Sequence, residues 1–101
     1  MRKHIDFEAI QEQSLANLPT LLQRWLPDGK RVGNEYVALN PTRNDRHLGS
    51  FKINVNTGRW ADFATGDKGG DVISLVAYIN GTGQIEAARD LADMLGMEPG
   101  R

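Results

Sequence analysis

Residues 58 to 71 read G-R-W-A-D-F-A-T-G-D-K-G-G-D and run straight into the apolar segment Val72 to Ile79. Three kinds of local structure meet in this stretch. Asn56-Thr57-Gly58 has hairpin-turn chemistry, with Gly58 available for positive φ, so Arg59 to Phe63 is expected to return as the partner of the strand before it. That strand is Ser50 to Val55, where Phe51, Ile53 and Val55 alternate with Ser50, Lys52 and Asn54, the pattern of a half-buried strand. Trp60 and Phe63 stand at odd spacing on the return strand, so alternation places them on opposite faces of the sheet. The run Gly66 to Gly70 is a tight turn whose backbone must approach the sheet, with Lys68 at its tip. Asp71 then offers an N-cap to a helix over Val72 to Ile79, and Asn80-Gly81 stops it.

Outward from this centre the chain remains locally readable. Glu35 to Leu39 is a short β-favouring run. Ile85, Ala88, Leu91, Ala92 and Leu95 recur at three- and four-residue steps, a second helix opened at Thr82 or Gly83 and capped by Gly96. At the other end, Ile5, Phe7, Ile10, Leu15, Leu18, Leu21, Leu22, Trp25 and Leu26 recur at helical spacing. A proline deep in a helix costs about 3 kcal/mol, so Pro19 divides this segment into two helices or sits in the first turn of one beginning near Asn17. The fold class is α+β, a small antiparallel sheet with N-terminal helices and a C-terminal α-hairpin. A chain of 101 residues makes one domain: residues 1–29 helical, 30–68 the β core, 69–101 the hairpin.

Charge is unevenly distributed. Residues 1–29 carry three basic and four acidic side chains, residues 30–68 seven and four, and residues 69–101 two and five. The middle third is therefore +3 in a chain of net charge −1, and because attraction to phosphate acts over a Debye length of ~8–10 Å, a basic middle can act independently of acidic ends. There is no cysteine, which excludes disulfides and thiolate metal sites, and His4 and His47 are too far apart to form a local metal pair. No metal or other cofactor is expected. No apolar run approaches the ~20 residues of a membrane span, and the N-terminus lacks the apolar core of a signal peptide, so a cytoplasmic chain without membrane contact is expected.

The order of these elements resembles the zinc-binding domain of bacterial DnaG-type and mobile-element primases. The correspondence runs roughly from Glu35 to Met97. Tyr36 to Leu39 leads into Asn40-Pro41-Thr42-Arg43 where the family has a C-P-x-H knuckle. Gly58, Trp60, Asp62-Phe63-Ala64-Thr65-Gly66 and Gly70-Asp71 correspond to a glycine, an aromatic residue, a C-F-x-C-G knuckle and a G-D or G-G-D helix start. The closing helix, Ile85 to Gly96, resembles the family's E-A-x-x-x-L-A-x-x-x-G ending. All four ligand positions depart from the family, with Asn40, Arg43, Asp62 and Thr65 in place of metal ligands. Of these only aspartate is a usual zinc ligand, and a protonated arginine repels the ion. The reading is a zinc-ribbon-like domain without zinc, in which Arg43 and Asp62 form an ion pair across the old site while Asn40 and Thr65 satisfy the remaining donors and acceptors. Zinc supplies roughly 10–16 kcal/mol where folding depends on it; a surface ion pair supplies about 0–1 kcal/mol. Apolar burial by the helices must make up the difference.

The resemblance implies a non-catalytic template-recognition module of DNA replication, acting on single-stranded DNA, or RNA, beside a primase catalytic domain or a helicase. Basic side chains on phosphates and aromatic rings on bases are what single-strand binding needs. Arg43, Arg46, Lys52, Arg59 and Lys68 are the candidate phosphate contacts, and Trp60 is the candidate stacking platform, with core packing as its alternative. Phe51 and Phe63 are assigned to the core, Trp25 and Tyr36 to packing, His47 to a loop. The glycine run lacks the G-K-S or G-K-T of a phosphate-binding loop, and Asp71 would compete with a phosphate for the helix N-terminus. Catalytic signatures are missing: no G-x-S-x-G, no cysteine nucleophile, no carboxylates at metal-binding spacing. The competing reading is a protein-interaction module that docks a replication partner through the acidic C-terminal hairpin or the N-terminal helices.

Overall fold

The computed structural model describes residues 5–97; His4 lies outside them. Two helices, α1 (Phe7–Ala16) and α2 (Leu18–Trp25), precede five strands, β1 (Lys30–Val32), β2 (Glu35–Ala38), β3 (Phe51–Asn54), β4 (Trp60–Asp62) and β5 (Lys68–Gly69), and two helices follow, α3 (Val72–Asn80) and α4 (Gln84–Met94). The architecture is α+β. The strands form one antiparallel meander in the order β1-β2-β3-β4-β5. No helix among the described residues is long and apolar enough to cross a membrane.

Helix boundaries follow their local chemistry. Pro19 sits in the first turn of α2, where its missing N–H costs nothing. Asp71 and Ser74 form a reciprocal capping box at the start of α3, which ends at Gly81. This box satisfies two of the backbone donors that a helix start leaves unpaired. Gln11 of α1 adds a third bond, its side-chain oxygen accepting from the Val72 N–H at 3.0 Å, which ties α1 to the start of α3.

The core lies between the helices and one face of the sheet. Ile10, Leu22, Phe51, Ile53, Leu75 and Leu91 are among its fully buried members. Alternation sends Tyr36, Ala38, Phe51, Ile53 and Trp60 inward to this cluster, so Lys52, Ala61 and Phe63 point to the opposite face, which carries no helix among the described residues.

The register corrects the aromatic assignment. Trp60 is 5% exposed and packs in the core, so it offers no platform for a base. Its indole contacts Phe51 edge-on at 6.3 Å and lies over Tyr78 at 4.5 Å, and its Nε1 donates to the Ser74 hydroxyl at 3.0 Å. The space for it comes from Gly69, directly opposite in β5, where a Cβ would collide with the indole Nε1 and the Ser74 hydroxyl. Phe63, expected in the core, is 71% exposed. Three positions along from Trp60, it falls on the other side of the pleat.

Three smaller expectations also change. Strand β1 emerges where no strand was read, because all three of its residues are exposed and show no alternation. The tip of the glycine run is the short edge strand β5, paired with β4. In α4 the buried face is carried by Ala87, Ala88, Leu91 and Ala92, and Ile85 is exposed.

Candidate nucleic-acid interface

Two features of the sheet bear on function: a polar cluster at one end and an open basic face. The cluster is built on Asp62, the last residue of β4, whose side chain is fully buried. Arg43, in the loop between β2 and β3, donates to it from Nε at 2.8 Å and from Nη2 at 3.3 Å. Asn40 Nδ2 adds a bond of 2.7 Å, and the Ala64 N–H another of 2.8 Å. The carboxylate thus accepts four hydrogen bonds, two from a guanidinium in the bidentate arrangement that makes such pairs strong.

The electrostatics follow from the geometry. Arg43's hydrogen bond is the main cause that holds the Asp62 carboxyl well below the usual carboxylate range, helped by Asn40 and Ala64 against the opposing effect of burial. Asp62 in turn pushes the Arg43 guanidinium up.

Asn40, Arg43 and Asp62 converge as the ion-pair reading expected; Thr65 does not join them through its side chain. Its hydroxyl accepts from the Asp67 N–H at 3.2 Å, and only its backbone N–H reaches Asp62, at the carbonyl oxygen. The remaining role falls to Tyr78 of α3. Its hydroxyl accepts from Asn40 Nδ2 at 2.8 Å and donates to Asp67 Oδ2 at 2.7 Å. The loop after β2 and the turn after β4 are therefore clasped by one tyrosine. Tyr78 stands one helical turn beyond Ser74, on the same face of α3, so these two polar residues could have been read as a stripe meeting the sheet. Ser50, bonded to Arg43 Nη2 at 2.9 Å, and Asp45, 3.4 Å from it, complete the setting.

A carboxamide, a guanidinium, a carboxylate and a hydroxyl at positions 40, 43, 62 and 65 do not fit zinc. The one carboxylate among them is already bonded to the Arg43 guanidinium, which cannot give up its proton. Among the described residues no three His, Cys, Asp or Glu side chains gather at metal-binding distance.

The open face presents Lys52, Arg59, Lys68 and Phe63. Lys52 is half-buried, with its ammonium 5.8 Å from the Phe63 ring centroid and 4.0 Å from Glu35. Arg59 and Lys68 are exposed. Of the other residues expected to contact phosphate, Arg46 is exposed in the β2–β3 loop, and Arg43 has its guanidinium committed to Asp62, Ser50 and Asp45. Shallow hollows of about 200 Å³ and 540 Å³ lie on either side of Ala61, the first edged by Lys52 and Phe63, the second by Lys68 and Gly70.

No protein-family model matches this chain. Its sequence is 28% identical over 94 residues to a DNA primase of Lactococcus lactis subsp. lactis (strain IL1403), a match that takes in 92% of this chain. The chain spans 14% of the length of that relative; it is similar, across nearly all of itself, to a small part of a DNA primase.

Proposed function

We propose that this chain is a primase-related, non-catalytic module that holds single-stranded template DNA on the open face of its sheet, beside a primase catalytic domain or a helicase in the cytoplasm. The observation that carries the reading is the exposed Phe63 ring, which shares a hollow with Lys52 and Arg59 and a face with Lys68, a face that no helix among the described residues covers. Rings of this kind stack on bases of any sequence while cations neutralise the phosphates, the combination that single-strand binders use. The similarity to a DNA primase supports the same assignment. Phe63 takes the stacking role for which Trp60 is too deeply buried.

Fluorescence anisotropy with an oligo(dT) probe tests the proposal. Affinity is expected to fall linearly in a plot of log K against log salt, with a slope of about 0.7 per neutralised phosphate. The double charge reversal Lys52→Glu/Arg59→Glu is expected to abolish the signal at low salt while the protein stays folded, with a melting temperature lowered by no more than a few degrees by the new repulsion between position 52 and Glu35. The protein-docking alternative draws on Ile85 and Met94, exposed on α4 beside Glu86, Asp90 and Asp93. An unchanged anisotropy at low salt, or equal binding by the charge-reversed protein, would favour it.

A further inference from the structure

The sheet register brings together three lysines that are far apart in the chain. Lys30 pairs with Val37, Val37 with Lys52, Lys52 with Ala61, and Ala61 with Lys68. Directly paired residues project to the same face, so these five form one row running straight across all five strands, on the face that also bears Phe63. Lysines occupy the first, third and fifth places. With strands ~4.8 Å apart, neighbouring lysines are rooted about 9.6 Å from one another. Like charges directly opposite one another would destabilise the sheet; Val37 and Ala61 keep them apart without introducing a carboxylate into the line.

Resting on the single-strand reading above, we infer that Lys30, Lys52 and Lys68 form a phosphate track, so that the nucleic acid crosses the β-strands instead of running parallel to them. Ala61 leaves the floor of the track low between Lys52 and Lys68, which accounts for the hollows on both of its sides. A base leaving the track at that point comes over Ala61 toward the ring of Phe63. Glu35 is the one acidic side chain among the outward-facing strand residues, and it lies 4.0 Å from the Lys52 ammonium. It competes with phosphate for the central lysine and sets a limit on affinity.

The track is tested by the salt dependence of oligo(dT) binding in single-site variants. Lys30→Gln, Lys52→Gln and Lys68→Gln are each expected to reduce the slope by about 0.7, with Lys30→Arg restoring it. Arg89→Gln, on the exposed side of α4, leaves the slope unchanged. Glu35→Gln raises affinity roughly two- to five-fold, the worth of an exposed ion pair. If the unmodified protein binds and Lys52→Gln lowers the slope while Lys30→Gln does not, the strand does not cross the sheet and the track is overturned, though the binding face stands. If the unmodified protein does not bind, both the track and the binding face are overturned. All of these substitutions are at exposed or half-buried positions, and a melting temperature within a few degrees of the parent confirms that each variant is folded.

Discussion

Asp62→Ala is expected to lower the unfolding free energy by about 3 kcal/mol, at the low end of the cost of breaking a buried ion pair because the partner guanidinium retains some contact with water. The residue is fully buried, and its loss strands donors on Arg43, Asn40 and Ala64 together. In a domain whose total stability is about 5–15 kcal/mol, that is a large fraction. Arg43→Met/Asp62→Ala is expected to lose less than the sum of the two single losses, since removing both partners leaves no unpaired charge. Urea denaturation of the four proteins in this cycle measures the coupling, and strictly additive losses would show that the pair does not hold the loops.

The same carboxylate fixes the sign of the pH dependence. Its folded-state pKa lies below the unfolded value, so its contribution is fully present above the unfolded value of about 3.9 and is lost as pH falls toward and through the folded one. The stability gap between the parent and Asp62→Asn is therefore expected to be widest near neutrality and to narrow at pH 2.5. A gap that is constant between pH 7 and pH 2.5 would contradict the assignment.

The second large effect separates the two aromatics of the hairpin. Trp60→Ala is expected to cost about 3–5 kcal/mol of stability, as for other large-to-small core substitutions. Phe63→Ala, at a position 71% exposed, is expected to change stability by less than about 0.5 kcal/mol. On oligo(dT) the order reverses: loss of the Phe63 platform removes about 1–3 kcal/mol of stacking, a drop of roughly 5- to 150-fold in affinity. Thermal melts and anisotropy on the two variants give both readings. A Phe63→Ala protein that binds like the parent would remove the aromatic component from the interface.

What could be read from the sequence, and what could not, divides by the range of the interactions. The β3–β4 hairpin, the Asp71 cap, the break at Pro19 and the glycine after α3 were legible because each depends on a few adjacent residues. Strand β1 was not, since Lys30, Arg31 and Val32 are all exposed and an edge strand has no buried face to write an alternation. Lys30 was therefore missed as a member of the basic row, although Gly33-Asn34 between Val32 and Glu35 was a turn signal. Alternation established that Trp60 and Phe63 face opposite ways; which of them faces inward depends on Gly69, a residue of another strand. The pairing of Arg43 with Asp62 followed from the resemblance, which puts both residues at positions where that family holds its metal. The part played by Tyr78 did not, because its hydroxyl reaches both loops only once α3 lies against the sheet.

The roles proposed for Lys30, Lys52, Arg59, Phe63 and Lys68 all require nucleic acid to lie on the helix-free face of the sheet. An amide chemical-shift titration of the domain with oligo(dT) tests this most directly. Shifts concentrated at Lys30, Lys52, Arg59, Ala61, Phe63 and Lys68 are the predicted result. Shifts confined to α3 and α4, or none at saturating oligonucleotide in low salt, would contradict it.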